Sequence, residues 1–414
     1  MQFFMLLREF LEDIRKQKTR AFLTTIAITW GTLAVILLMA FGEGLSFRMR
    51  ESLLNAGNRI IRVYGGQTTQ KYQGLPVGRS IRMRLDDAGI IQNSIPEVES
   101  AIGVLGRQTR LRRDGVTVST FMEGVFPEFE FMRRMFPDAG GRFINDRDVM
   151  EKRRVLFLGQ VIASELFGGQ DPVGQIVTVD GNPFTVIGIM PKKMQTSMNN
   201  GPDDRRAIIP FTTFQSIYGN RNLNEMLVKP RYSLDNRLII SEIRRILGRK
   251  YQFDPADELA MPVWDFIEDE KIGAKVFTGI NVFLAVIGAM TLIIAGVGVA
   301  NIMFVVVKER THEIGIKRAV GAKRRHIIFQ FIFESLLIAV IGGGTGLLLA
   351  WGLIKLIWTI PAGDGAMQFL GRPILSFAVV FITVSVLTLI GLLAGLFPAR
   401  KAAGIDPVEA LRYE

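Results

Sequence analysis

Four apolar runs constrain this 414-residue chain more than anything else in it: 21–41, one within 276–307, one within 327–360, and 374–398. Each offers about 18–20 residues with few or no charges, enough for a helix to cross the roughly 30 Å of hydrocarbon in a bilayer. Backbone groups surrounded by lipid have no water to bond, so such runs must be helical. The expected fold class is an α-helical membrane protein with four transmembrane helices. A large mixed α+β extracytoplasmic domain of two lobes lies between the first and second spans. Basic residues precede the first run as they would in a signal peptide, but its apolar core exceeds the about 7–15 residues of a secretory h-region. It is read as a retained anchor.

Orientation follows from the Lys/Arg bias of the short flanking segments. Residues 1–20 carry Arg8, Arg15, Lys16, Lys18 and Arg20; the 308–326 loop carries seven Lys and Arg; the tail carries Arg400, Lys401 and Arg412. The 361–373 loop has Arg372 balanced by Asp364. The three basic segments are therefore expected in the cytoplasm, with both termini, and the segment 44–272 outside. That segment holds 32 Lys+Arg against 28 Asp+Glu, so most of the net charge of +11 is topological and gives little support to nucleic-acid binding. With no cysteine in the chain, the external domain must fold without disulfides. Both histidines, His312 and His326, fall in the 308–326 loop, which removes His-based chemistry from that domain.

The expected layout is a cytoplasmic amphipathic helix in 1–20, with Phe3, Leu7, Phe10, Leu11 and Ile14 on one face toward membrane lipid. It is followed by a span at 21–43, the external domain at 44–272, and a stalk and span at 273–307. The 308–326 loop, a span at 327–360, a short outer loop at 361–373, a span at 374–398 and a tail at 399–414 complete the order. The 32 uncharged residues from 276 to 307 would make a helix of about 48 Å. The excess over the bilayer must tilt or project as a stalk. In the external domain, 59–66 reads as a strand, 85–95 as a helix, and 109–121 and 175–190 as hairpins around Asp114–Gly115 and Asp180–Gly181. Residues 153–169 read as a strand and a glycine-closed helix, and 233–250 as an amphipathic helix. Hairpins concentrate in about 110–215, which suggests a second lobe inserted into the first.

The loop "KERTHEIGIKRAVGAKRRH" can form a short helix closed at Gly321, with Glu313 and Lys317 at i, i+4 and a small apolar patch of Ile314, Ala319 and Val320. Spacing alone leaves two readings open: a loop made basic by topology, or a coupling helix that docks on a cytoplasmic partner. The longer stretch "NIMFVVVKERTHEIGIKRAVGAKRRHIIFQFIFESLLIAVIGG" (301–343) resembles the signature region of MacB-type, FtsX-like ABC transporter permeases. The ending "GLFPARKAAGIDPVEALRYE" (395–414) resembles theirs, and 155–190 is similar to their periplasmic core domain.

The resemblance implies that Glu309, Arg310, Thr311, Glu313, Gly315, Lys317, Arg318 and Gly321 form the loop that meets an ABC ATPase subunit. It also implies mechanotransmission, with substrate handled outside the membrane, and a dimer of permease copies in a bacterial inner membrane. A periplasmic adaptor and an outer-membrane duct are the remaining implied partners. The sequence has no GxxxxGK[ST] and no Gly-Lys dipeptide, so no cofactor is expected on this chain, and ATP and Mg are expected on the partner ATPase. Thr29, Trp30 and Thr32 depart from the small or apolar residues expected in the first span. An ATPase-driven transmitter activating a periplasmic cell-wall hydrolase, and a lipoprotein-releasing permease, are the alternative functions.

Glu334 lies inside the third span, where carboxylates are costly, and is read as the partner of a basic or polar group near the inner interface rather than as a proton carrier. Gly296/Ala300, Gly342/Gly346 and Gly391/Gly395 have the small-xxx-small spacing of close helix approach, within one copy or between two. Met190, Met194 and Met198 read as packing or mobile contacts rather than a soft-metal site. The arginine pairs Arg112/Arg113, Arg133/Arg134 and Arg205/Arg206 read as solvated surface. No nucleophile–base constellation is present, so no catalytic residue and no metal site is expected.

Overall fold

The computed structural model describes residues 18–57, 59–193, 201–232, 236–360 and 371–404. The expected surface helix over 3–14, Met194 and Met198, the outer-loop residues 361–370 and the tail beyond 404 lie outside them. The chain forms two compact units: one is Met49–Ala274, and the other comprises the chain up to Arg48 and from Lys275 onward.

The first element, α1 (Lys18–Ala56), is 39 residues long, about 58 Å as a helix. It runs past the expected end of the first span at 43, because "GEGLSFRMRESLLNA" contains no proline to stop it and its two glycines sit within a continuing helical run. Only the later span was expected to be over-long. The unit boundary accordingly falls at 48/49 rather than 43/44.

Within Met49–Ala274 come β1 (Ile61–Val63), α2 (Asp87–Ser94), β2 (Val98–Arg113), β3 (Val116–Val125), α3 (Phe129–Met132), α4 (Asp146–Met150), β4 (Val155–Gly159) and α5 (Gln160–Phe167). After these come β5 (Ile176–Val179), β6 (Asn182–Met190), β7 (Arg206–Pro210), α6 (Phe211–Tyr218), β8 (Glu225–Pro230), α7 (Asn236–Tyr251) and β9 (Val263–Asp265). Both expected hairpins turn at residues with positive φ: Asp114 and Gly115 at 46° and 84°, Asp180 and Gly181 at 43° and 88°. Positive φ at both central residues matches the twist of the flanking strands.

The long strand β2 serves two lobes. Its first half, Val98–Val104, pairs with β8 in the small sheet β2-β8-β1-β9. From Leu105 onward it pairs with β3, and near its end with β5. The pairings β2-β3-β7-β4-β6-β5 and back to β2 close into a ring of six strands. The inserted lobe is therefore a small barrel, and it shares a strand with the lobe that receives it instead of forming a separate domain. Local hairpin signals could not reveal this closure, because it depends on the long-range parallel pairings β3/β7 and β4/β6.

Helix α7 covers the small sheet with Ile239, Ile243 and Leu247, four residues apart and buried. Each contributes about 1.5–3 kcal/mol of apolar burial.

The membrane unit adds α8 (Phe266–Glu309), α9 (Thr311–Ala319), α10 (Arg324–Thr359) and α11 (Phe377–Gly404). With 44 residues, α8 would extend about 66 Å, and it begins seven residues before the expected stalk. Trp30, Ile294 and Phe377 are strongly exposed on these helices, as side chains facing lipid should be. Helix α11 does not stop at Pro398 but continues to Gly404. The small residues Ala399, Ala402 and Ala403 after the proline are buried and hold the last turn against its neighbours.

Candidate functional site

The loop between the second and third spans is short helical structure with a defined inside and outside. Helix α8 ends at Glu309, Arg310 makes the turn, and Thr311 bonds back to the carbonyls of Val307 at 3.1 Å and Lys308 at 2.8 Å. Helix α9 closes at Gly321, whose φ of +101° is the left-handed conformation that a side chain would resist.

Several of the basic residues turn inward. Arg310 Nη1 lies 3.1 Å from Glu334 Oε1, and Glu334 is only 6% exposed. Gln330 donates to the same carboxylate at 3.3 Å and accepts from Lys317 Nζ at 3.3 Å. Arg318 Nη1 donates to the carbonyl of Ala403 at 3.2 Å, satisfying an end group of α11. Ile314 and Gly315 are buried in the apolar core of the membrane unit.

Two expectations change in this light. Ile314 is not part of an outer patch but the anchor of the helix; the outer apolar residues are Ile316, Ala319 and Val320, the last 84% exposed. Glu313 and Lys317 share a helical face but do not pair, because Lys317 is drawn to Gln330. His312 and Glu313 remain on the outside with Ile316 and Val320.

The small-residue pairs are used within this chain. A Cβ on Gly296 would lie 2.2 Å from Ile390, and one on Gly395 would lie 2.1 Å from Ser335 Oγ. Gly391 faces Ala339, Gly342 faces Ile28, Gly346 faces Thr29 and Thr32, and Ala300 packs on the same core. Of the unexpected threonines of the first span, Thr29 is bonded: its Oγ1 donates to the Gly342 carbonyl at 3.1 Å and lies 3.0 Å from Thr345 Oγ1. Buried Thr32 instead packs on Gly346, and its hydroxyl has no hydrogen-bond partner among the described residues. Ser335 Oγ likewise reaches the Gly391 carbonyl at 3.0 Å.

In the core domain, two arginines read as surface are the opposite. Arg133 is 0% exposed and Arg206 1% exposed. Arg133 Nη2 donates to Asp203 Oδ1 at 2.7 Å, Arg206 pairs with Glu123, and Lys193 Nζ reaches Asp203 Oδ2 at 2.7 Å. Beside them Arg62 pairs with Glu225 at 2.5 Å. Burial alone would raise Asp203, but Arg133, Lys193 and Arg206 outweigh it and hold the carboxyl well below the usual range. Burial pushes Glu123 up despite Arg206 and Arg133, and pushes Lys193 down despite Asp203.

Lys193 also donates to the carbonyls of Asn55 and Arg133, and Arg206 to that of Gly201. The signal in the sequence was a charge set in or directly against an apolar strand, as in "TFMEGVF" and "RRAIIP". Among the other pair members, Arg205, half-exposed on Glu165, and Arg112, exposed, fit the surface reading. The side chain of Arg113, by contrast, is only 14% exposed and stacks 4.1 Å from the Phe167 ring centre. Met190 is buried in the core.

Four helices long and apolar enough to cross a membrane, with a mixed α/β domain between the first two, define a multi-pass membrane protein. The MacB-like periplasmic core domain matches residues 21–246 and the FtsX-like permease C-terminal domain matches residues 285–407, and the chain belongs to the MacB-type, FtsX-like permease family. It is 29% identical over 412 residues to the macrolide export ATP-binding/permease protein MacB of Bdellovibrio bacteriovorus, an alignment covering 99% of this chain and 61% of that protein. It is 30% identical over 405 residues to the pyoverdine export ATP-binding/permease protein PvdT of Pseudomonas putida, covering 95% and 57%. The chain thus spans about three-fifths of the length of the curated relatives it matches. The periplasmic region of MacB from Actinobacillus actinomycetemcomitans covers 54% of this chain and 95% of its own, with TM-score 0.43 at 15% identity.

Proposed function

We propose that this chain is the permease subunit of an ABC exporter in a bacterial inner membrane, driven by ATP and Mg bound to a separate cytoplasmic ATPase. In this reading both termini and the 308–326 loop face the cytoplasm, and the core domain faces the periplasm. Two permease copies act together, and the core domain meets an adaptor that leads to an outer-membrane duct.

The observation that carries the reading is the two-sided helix α9. Arg310, Lys317 and Arg318 fasten it to Glu334, Gln330 and Ala403, while His312, Glu313, Ile316 and Val320 face outward. Force applied by a partner to the outer face passes into α10 and α11 through those bonds, which is what mechanotransmission needs. The names of the relatives concern export of macrolides and of pyoverdine, and export is therefore preferred over signalling to a cell-wall hydrolase.

Charge reversal at Glu313 tests this, because that residue faces outward and supports no internal bond among those described. Glu313→Arg should abolish co-purification of an ATPase from native membranes and stop ATP-dependent export, with membrane insertion unchanged. Normal co-purification and export by that variant would sink the coupling role of α9. A reporter at Met150 should read outside the cytoplasm; a cytoplasmic signal would invert the topology.

A further inference from the structure

The barrel of the core domain carries a cleft of about 870 Å³ on its outer surface, lined by Arg107, Arg110 and Arg112 of β2, Thr117 and Ser119 of β3, and Asp180. Gln108, Thr178 and Tyr218 complete its polar wall. Arg110 lies opposite Ser119, and Arg112 opposite both Thr117 and Thr178, so each of these cations is flanked by hydroxyls on neighbouring strands.

The single acid in the cleft is already committed. Asp180 Oδ1 accepts the Arg110 backbone N–H at 3.0 Å, and Oδ2 accepts the Tyr218 hydroxyl at 3.1 Å. Burial raises this carboxyl, but those bonds together hold it below its ordinary value, so it stays ionised where it is. Tyr218 in turn supports Arg107, whose guanidinium stacks 4.1 Å from the ring centre. Arg110 and Arg112 are exposed and form no ion pair among the described residues.

Two exposed guanidiniums on one face of a strand, with no ion pair among the described residues, favour carboxylates, which they grip bidentately. Residues two apart on a strand lie about 6.6–6.8 Å apart on the same face. That spacing equals the spacing of alternate side chains in an extended peptide. The cleft is several times larger than a single small anion requires, and falls in the upper part of the roughly 300–1,000 Å³ range of ligand sites. Its lining lacks the aliphatic residues that an apolar cargo would need.

We propose that this cleft binds an extended acidic peptide segment, with Arg110 and Arg112 each holding one of two carboxylates on alternate residues. Arg107 and the flanking hydroxyls hold its backbone and neighbouring polar groups. The proposal depends on the exporter reading only for which peptides reach the site; binding by the detergent-solubilised chain does not depend on topology.

The test is fluorescence anisotropy of the full-length chain with a labelled Asp-Ser repeat peptide and its Asn-Ser twin. The acidic peptide should bind at least about tenfold more tightly than the twin, a lower bound set by one charge-assisted hydrogen bond. Binding should weaken at high salt. Arg110→Gln with Arg112→Gln should remove that preference, whereas Arg154→Gln with Arg221→Gln, equal in charge and outside the cleft, should leave it intact. Equal binding of both peptides, or equal loss in both double variants, would overturn the site. Competition by citrate at the concentration of the peptide itself would replace the peptide reading with a small-anion site. A failure at the Met150 reporter or at Glu313→Arg, with peptide preference retained, would touch the exporter reading alone.

Discussion

The two units of this protein bury charge in different ways. In the membrane unit an ion pair joins Glu334, inside α10, to Arg310 at the end of α8, and the close contacts between spans come from glycine, alanine and short hydroxyls. The core domain encloses Arg62, Glu123, Arg133, Lys193, Asp203, Arg206 and Glu225. The difference follows from the backbone. A helix in lipid satisfies its own N–H and C=O groups, so its side chains are free to be small and apolar. The core domain must also satisfy backbone carbonyls at helix ends and turns, which lack a partner within their own element. Lys193 and Arg206 supply those donors at Asn55, Arg133 and Gly201, and the acids then balance the cations.

The comparison breaks most clearly at Asp203. It neutralises Arg133 and Lys193 at full burial, so Asp203→Asn should cost about 3–5 kcal/mol, the range for a buried pair deprived of one member. Thermal unfolding of the purified chain measures it, and a loss under about 1 kcal/mol would mean that the cations find other partners. Because the folded-state carboxyl is held below its ordinary value of 3.8, its contribution is complete at neutral pH. It declines only as pH falls below that value toward the depressed one.

The middle effect lies in the membrane unit. Glu334→Gln removes the charge that Arg310 meets at 3.1 Å, but that arginine is partly exposed and Gln330 stays beside residue 334, so the cost should be about 1–3 kcal/mol. Exchanging the partners, Arg310→Glu with Glu334→Arg, should recover part of it. A double variant no better than the sum of the singles would show that the pair is not the source of the loss.

Much of the membrane unit was legible in the sequence because its signals are local: run length, loop charge, small-residue spacing. A carboxylate at 334 inside an apolar run demanded a nearby partner, and Arg310 is 24 residues away, across one turn of chain. The core domain was legible only element by element. Asp114–Gly115 and Asp180–Gly181 announced their hairpins, but the ring depends on β3 meeting β7, which no local pattern encodes. Adjacent arginines at 133–134 and 205–206 read as surface for the same reason. One of each pair is buried by strands and turns far away in sequence. Ile314 misled because a nine-residue helix has too few turns for its inner face to be read from periodicity.

The smallest effect separates the two acids of one network. Burial raises Glu123 above its ordinary 4.5, whereas the cations dominate at Asp203. A raised folded-state value means that the carboxyl favours the folded chain below 4.5 and loses that advantage as pH rises through the raised value. As pH rises Glu123 therefore bears a cost of burial that its bond to Arg206 only partly offsets. Glu123→Gln keeps the shape and removes both terms, while Arg206 keeps Asp203 at 3.4 Å and the Gly201 carbonyl at 2.9 Å, so stability at neutral pH should change by less than about 1 kcal/mol. The difference between wild type and Glu123→Gln should move toward the variant as pH rises, opposite in sign to the trend at Asp203→Asn. If both variants lost the same stability with the same pH trend, the network would be acting as one shared charge, and the asymmetry between its two acids would be wrong.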